Sequence, residues 1–324
     1  MKYLVIRQQH KRTKAIWEKL RHELPLEIEV VNADDRAHFR KLMRSLAHHD
    51  YDRIVFDCNI RSIGCDYVLL KNIHNLVIYD NDLYHHFHKK SAYYKLFVAL
   101  FKTLPPHRII STGLFTVENF RKQGLNVSYL PKSYDQTYVH YLGTPRDIEF
   151  AFVGRIKHKI YTQRRAFLED LHKNLDLKII KTSEDSSYNQ TLNRIRFFLS
   201  ADHGLNEYMA KNFEAMAAGC ILCTASTSDE EAQLLGFKDM MNVVLYTSTE
   251  ELKSKLAYLQ QHPDIADAIA MAGRRLVETR HQDQNRAEEM KKILAEPLLL
   301  TPPMRMADYY HLFMLKAYHF VTGH

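Results

Sequence analysis

The stretch GLNEYMAKNFEAMAAG, residues 204–219, contains the residue with the sharpest chemical demand in the chain. Glu214 stands there among apolar and small residues, in a segment that reads as a loop, a helix and a glycine stop. Ala215, Ala217 and Ala218 let such a helix approach its neighbours closely. A lone carboxylate in that setting is costly unless a partner satisfies it. Two partners fit: an internal Arg or Lys, or a pair of donors such as the hydroxyls of a ribose. The residue types alone leave both open. A second pair of carboxylates, Asp80 and Asp82, follows the apolar run 76–79 in LVIYDNDLYHHFHKK. At the carboxyl end of a strand they could orient a substrate hydroxyl or accept its proton. The other reading is an Asx turn leading into a helix.

Two clusters invite a metal and do not earn one. His85, His86 and His88 lie close together, but no spacing joins them to a carboxylate in a ligand pattern. In a chain with 19 histidines such crowding is expected by chance, so they read as solvated or core side chains. Cys220 and Cys223 form a CxxC inside GCILCTAS, which reads as a short buried strand. Residues three apart in a strand point to opposite faces, so the thiols diverge. No protein-bound metal or other cofactor is expected, and four scattered cysteines fit a reducing cytoplasm.

The elements that must position these groups alternate. Apolar runs at 3–6, 28–31, 53–56, 76–79, 108–110 and 127–130 are separated by stretches of helical period such as 15–24 and 38–47. Short apolar strands alternating with helices imply a parallel sheet covered on both faces. The segment 131–147 is polar and aromatic, with Gly143 and Pro145 near its end, and reads as a linker. A second series follows, with strands at 149–153, 177–180, 196–199, 220–224 and 242–246. Its helices are expected at 164–174, 208–218, 249–260, 265–279 and 284–295. The fold class is therefore α/β, two doubly wound Rossmann-like domains with a cleft between the carboxyl ends of their sheets. The expected domains are 1–140 and 147–300. An amphipathic stretch, 306–320, follows Pro302 and Pro303 and is expected to pack back on the first domain.

Bulk properties agree with a packed globular chain of two domains: 324 residues, 46% hydrophobic and 26% charged. No run of eighteen apolar residues suggests a membrane span, and the first residues lack a signal-peptide pattern. Residues 1–145 hold 22 basic against 14 acidic residues, a net of +8, while the rest is near neutral at −1. The first half should face something anionic: a phosphorylated lipid, a membrane surface or a nucleic acid. The segment 89–102, KKSAYYKLFVALFK, mixes Lys with aromatic and aliphatic residues at helical period. It reads either as a helix lying on an anionic bilayer or as one packed on its own sheet.

FEAMAAGC resembles the nucleotide-binding signature of retaining GT-B glycosyltransferases, in glycosyltransferase family 4 and the glycosyl transferases of group 1. In that family a Glu-x7-Glu pattern ends in a Glu that binds the donor ribose, and Glu214 matches it. The first acidic position is Asn206 here, with Glu207 next to it; either residue could serve the transferred sugar. The resemblance continues through 243–292, including the A-x-x-G-R-x-x-V pattern at 270–277 and an acidic helix start with Thr249 as its N-cap. FAFVGRIKHKIYTQRRAFLEDL resembles the opening of the same domain. There Gly154 would let backbone amides approach a phosphate, and Arg155, Lys159 and Arg164 would stabilise the departing diphosphate. Gln9 and His10 stand where the family shows a glycine-rich loop, so the first domain matches by architecture only.

The resemblance implies a hexosyltransferase-type enzyme (EC 2.4) that moves a sugar from a nucleotide-sugar co-substrate to an acceptor hydroxyl with retention. A bacterial cell-surface glycan, such as lipopolysaccharide, O-antigen or capsule, fits a cytoplasmic enzyme with a basic first half, peripheral on the inner face of the plasma membrane. Asp80 and Asp82 would then face the acceptor. Two other classes remain: a nucleic-acid-binding or DNA-modifying GT-B protein, and a catalytically silent scaffold. No RNP-like or helix-turn-helix signal supports the first.

Overall fold

A computed structural model describes every residue except 33, 34, 158–160, 183, 184, 203, 205, 323 and 324. The chain divides into two compact units, residues 1–131 with 286–324, and residues 132–285. The first contains β1 (Tyr3–Gln8), α1 (Lys14–Arg21), β2 (Leu26–Val31), α2 (Arg36–Ser45), β3 (Arg53–Asp57), α3 (Ile60–Ile63), β4 (Leu76–Tyr79), α4 (Phe97–Phe101), β5 (His107–Ser111), α5 (Leu114–Arg121) and β6 (Val127–Tyr129). All its strands are parallel, in the order β2-β1-β3-β4-β5-β6.

Period-2 alternation sorts the side chains of this sheet onto two faces. Leu4, Ile6, Ile54, Phe56, Leu76 and Ile78 join one apolar cluster; Tyr3, Val5, Val55, Val77 and Tyr79 join the other. Both faces are covered, which is why the central strands read as unbroken apolar runs. The edge strand β2 shows the exposed positions that the central strands lack.

The second unit contains β7 (Ile148–Val153), α6 (Thr162–Asn174), β8 (Leu177–Ile180), α7 (Asp185–Asn193), β9 (Ile195–Leu199), α8 (Ala210–Ala217), β10 (Ile221–Ala225), α9 (Asp229–Leu235), β11 (Val244–Tyr246), α10 (Thr249–Gln261) and α11 (Pro263–Arg280). Its parallel order is β11-β10-β9-β7-β8. Cys220 and Cys223 fall in the clusters on opposite faces of this sheet. Ser248 caps α10, accepting from the Glu251 amide at 3.1 Å, one residue before the cap expected from the sequence.

Residues 132–139 belong to the second unit because Tyr134 and Val139 are buried in its core. At the other end α12 (Asp283–Ala295) sends Ala287, Met290, Ile293 and Leu294 into the cluster that also holds Trp17 and Leu20 of α1. From Arg286 on, the chain is therefore part of the first unit. The last helix, α13 (Met306–Thr322), seats Leu315 in the other cluster of that unit.

The segment 89–102 departs from its helical period. Only Phe97–Phe101 is α-helical, and all five residues are buried. Lys95 adopts a left-handed φ of 62°, and its amide donates to the His86 carbonyl at 2.8 Å. That bend interrupts any longer helix, since a non-glycine residue there cannot continue one.

Candidate functional site

Both sheets reverse their strand order once, between β1 and β3 and between β7 and β9. In open α/β sheets ligands bind at the carboxyl ends of strands beside such a reversal. In the second unit that place is built by Gly154 after β7, by residues 200–202 after β9, and by the start of α8.

Gly154 has a φ of 152°, and a Cβ on it would lie 2.3 Å from the Lys211 Nζ. Lys211, in the first turn of α8, donates to the Val153 carbonyl at 2.8 Å and lies over the Phe152 ring at 5.1 Å. Arg155 is exposed. Arg164, 3% exposed, donates through Nε to the Ala201 carbonyl at 2.8 Å and through Nη1 to the Arg155 carbonyl at 3.3 Å. Its guanidinium also lies 4.0 Å from the Tyr161 ring centroid. Arg164 thus braces the loops after β7 and β9 against each other and leaves a positive charge at their junction. Lys159 lies outside the described residues.

The loop after β9 ends in Asp202, which is 3% exposed and accepts from Asn212 Nδ2 at 2.7 Å. Asn212 accepts in turn from Ser200 Oγ at 2.7 Å. Burial raises the Asp202 pKa above the usual carboxylate value, against the pull of Asn212 and Arg164. Asn206 is exposed, with a left-handed φ of 52°. Glu207 is buried and ion-paired with Lys132. Glu214 is 3% exposed and accepts from the Tyr188 hydroxyl at 2.5 Å. Tyr188 in turn stacks on Tyr138, with centroids 5.7 Å apart.

Lys211, Asp202, Asn212, Lys132 and Tyr188 were not singled out from the sequence. Only Lys211 carried a signal there, as the one cation of α8.

In the first unit the corresponding corner is filled by its own charges. Lys11 enters after β1 and pairs with Asp57 Oδ1 at 2.5 Å while donating to the Tyr79 carbonyl at 2.8 Å. Asp57 also accepts from Thr13 Oγ1 at 2.5 Å and Trp17 Nε1 at 2.6 Å. Burial works to lower the Lys11 pKa, and the Asp57 and Asp80 carboxylates outweigh it, so the pKa is raised. Asp80 is fully buried and accepts from the amides of Ile60 and Asp82, each at 2.8 Å. Burial pushes it up to about 6, with Lys11 opposing and Asp82 adding to the push. Asp82 is partly exposed and accepts from Arg61 Nη2 at 2.6 Å and Asn59 Nδ2 at 3.0 Å. The bond from the Asp82 amide to Asp80 is the Asx-turn contact named as the second reading.

His85 and His86 are buried, and His86 Nδ1 accepts from the Phe97 amide at 3.1 Å. Burial holds His86 down at about 3, with His311 and Lys95 adding to the effect. Among the described residues no three His, Cys, Asp or Glu side chains converge as a metal set. No helix among them is long and apolar enough to cross a membrane.

Residues 147–292 match the family model described as glycosyl transferase-like. The chain is also similar to solved structures over nearly its whole length. Anabaena HepE, crystallised with UDP and glucose, is 13% identical with a TM-score of 0.65, covering 91% of this chain and 99% of that one. WaaG, a glycosyltransferase involved in lipopolysaccharide biosynthesis, is 11% identical with a TM-score of 0.55, covering 92% and 100%. A glycosyltransferase from Rickettsia africae is 10% identical with a TM-score of 0.54, covering 90% and 98%. No curated protein matches the sequence. The chain thus carries a glycosyl transferase-like domain at residues 147–292 and has the GT-B fold of two parallel-sheet Rossmann-like units.

Proposed function

We propose that the chain is a hexosyltransferase-type enzyme that moves a sugar from a nucleoside-diphosphate donor to an acceptor hydroxyl. The observation that carries this is the corner after β7, where Gly154, Arg155, Lys211 and Arg164 gather beside the amino end of α8. Backbone amides and cations at such a corner suit a diphosphate leaving group. Glu214 takes the donor ribose, with Tyr188 holding its carboxylate in place. The sugar ring lies toward Asn206, while Glu207 is engaged by Lys132 and shapes the loop. Lys159 belongs to the same basic loop. HepE was crystallised with UDP and with UDP-glucose, which favours a uridine nucleotide.

Unit 1 supplies the acceptor, with partly exposed Asp82 better placed to meet it than fully buried Asp80. The enzyme contributes positioning and leaving-group stabilisation, with retention of configuration and without a protein-bound metal. The acceptor is a cell-surface glycan or its lipid-linked precursor, reached from the cytoplasm. Lipopolysaccharide, O-antigen and capsule are the candidate products.

The test is twofold. A thermal-shift screen of UDP, GDP, ADP and their sugars should single out one base, since a ligand at a hundredfold excess over Kd stabilises by about 2.7 kcal/mol. Turnover of the matching nucleotide sugar should fall at least about a hundredfold in Glu214→Ala, the scale expected when a donor-binding group is left out of the transition state. Equal turnover in the two proteins removes Glu214 from the site. A selective nucleotide shift without any turnover favours the silent scaffold, the reading that Asn206 at the first acidic position supports.

A further inference from the structure

The outward face of α13 is apolar. Met306 is 85% exposed, Tyr309 57%, Tyr310 62%, Phe313 66% and Met314 42%. At about 100° per residue these five positions fall within one arc of about 140°, a continuous stripe along the helix. The opposite side is anchored: Leu315 is in the core, and Asp308, the helix's one acidic residue, is buried against Lys102 at 2.8 Å. The acid is turned inward and the aromatics outward, the reverse of a helix facing water.

Cations border the stripe. Lys316 is exposed, and Lys71, whose pKa is lowered by burial and then by the Lys316 charge, lies on the segment Gly64–Asn72 that α13 packs against. Arg305 and His311 border a groove of about 410 Å³ beside the helix, together with Lys95, Tyr94 and Phe115. The only acid lining that groove is Asp308, already paired.

We propose that this face docks on an anionic phospholipid bilayer, with α13 lying in the plane of the interface. Two tyrosines, a phenylalanine and two methionines suit the headgroup boundary, where amphipathic rings settle, while flanking lysines reach the lipid phosphates. Charge complementarity decides against a second copy of the chain. An isologous contact through this face would bring the Lys316 margin and the Arg305 groove of each copy toward like charge. The inference does not depend on which nucleotide the second unit binds.

Vesicle flotation of the full chain tests it, with phosphatidylcholine alone and with phosphatidylcholine containing phosphatidylglycerol. The wild type should float with the anionic vesicles and be released in part by high salt. Tyr310→Ser with Phe313→Ser should lower partitioning by at least about tenfold, because two exposed rings leave the interface. Lys71→Glu with Lys316→Glu should lower it by a similar factor or more, at roughly fivefold per lysine, on anionic vesicles only. All four positions lie outside the nucleotide corner, so thermal unfolding and the nucleotide-induced shift should be unchanged; that readout separates this proposal from the donor assignment. The proposal is overturned if the wild type ignores anionic vesicles, or if the serine variant floats as well as the wild type. It is equally overturned if sedimentation shows a dimer that the serine variant dissolves.

Discussion

The two sheets reverse their strand order in the same way, and the corners at those reversals hold different things. After β1 the chain inserts Lys11, whose amine spans Asp57 and the Tyr79 carbonyl. After β7 it places Gly154, and a lysine from another element, Lys211, reaches in beside it. In the first corner the cation is neutralised by buried carboxylates. In the second it contacts a carbonyl and an aromatic face, next to helix amides and Arg164. One fold position therefore holds an internal staple in one unit and, on the function proposed above, meets the donor's diphosphate in the other. A shared architecture does not fix chemistry; the side chains at its corners do.

The sharpest way to break this comparison is Lys11→Met. Removing the cation leaves Asp57 and Asp80 buried without it, which costs about 3–5 kcal/mol for a broken buried pair. Urea unfolding measures the loss, and Trp17, the chain's one tryptophan, reports locally because its Nε1 donates to Asp57. A loss below about 1 kcal/mol, the level of exposed pairs, would show that the first corner is not a staple.

Much of this arrangement is legible in the sequence, and the exceptions have physical reasons. Strand 76–79 matches its apolar run to the residue, because a strand buried on both faces needs every position apolar; the edge strand 177–180 matches as well, with Lys178 at an exposed position. Glu214 and Asp80 stand out as carboxylates in apolar settings. Their partners do not, since the pairing of Tyr188 with Glu214 and of Lys11 with Asp57 depends on which strands and helices become neighbours. The segment 89–102 misleads because its period is helical while Lys95 turns left-handed, a conformation its residue type does not announce. Helices α7 and α9 escape notice for lack of a strong apolar period. The exposed stripe of α13 shows in the sequence as an amphipathic run, but which side faces inward is decided by Leu315 and Asp308.

Acid should discriminate between buried groups in the first unit. His86 titrates near 6.5 when unfolded and near 3 when folded. The unfolded chain therefore takes the proton first, so the stability this group supports is present above pH 6.5 and is lost as pH falls toward 3. Between pH 7.5 and 5 the loss amounts to about 2 kcal/mol. Asp80, raised to about 6, acts in the opposite sense, its native form gaining stability as pH falls from 6 toward 4. Comparing wild type with His86→Gln isolates the histidine, since Asp80 is common to both. The variant should lose about 2 kcal/mol less over that interval in urea titrations; parallel curves would mean that His86 is protonated within the fold.

The smallest effect is the most telling about the second corner. Lys211→Met removes one partly exposed donor to the Val153 carbonyl, so stability should change by no more than about 1 kcal/mol. If the amine instead meets a diphosphate, one charge-assisted contact is lost, and affinity for the preferred nucleoside diphosphate should fall about tenfold, or about 1.4 kcal/mol. Lys211→Arg, which keeps the charge, should recover part of that affinity. Calorimetric titration alongside thermal unfolding separates the two quantities. A variant that binds nucleotide normally yet loses several kcal/mol of stability would make Lys211 a second Lys11. The two corners would then be alike, and the donor would have to be held elsewhere in the second unit.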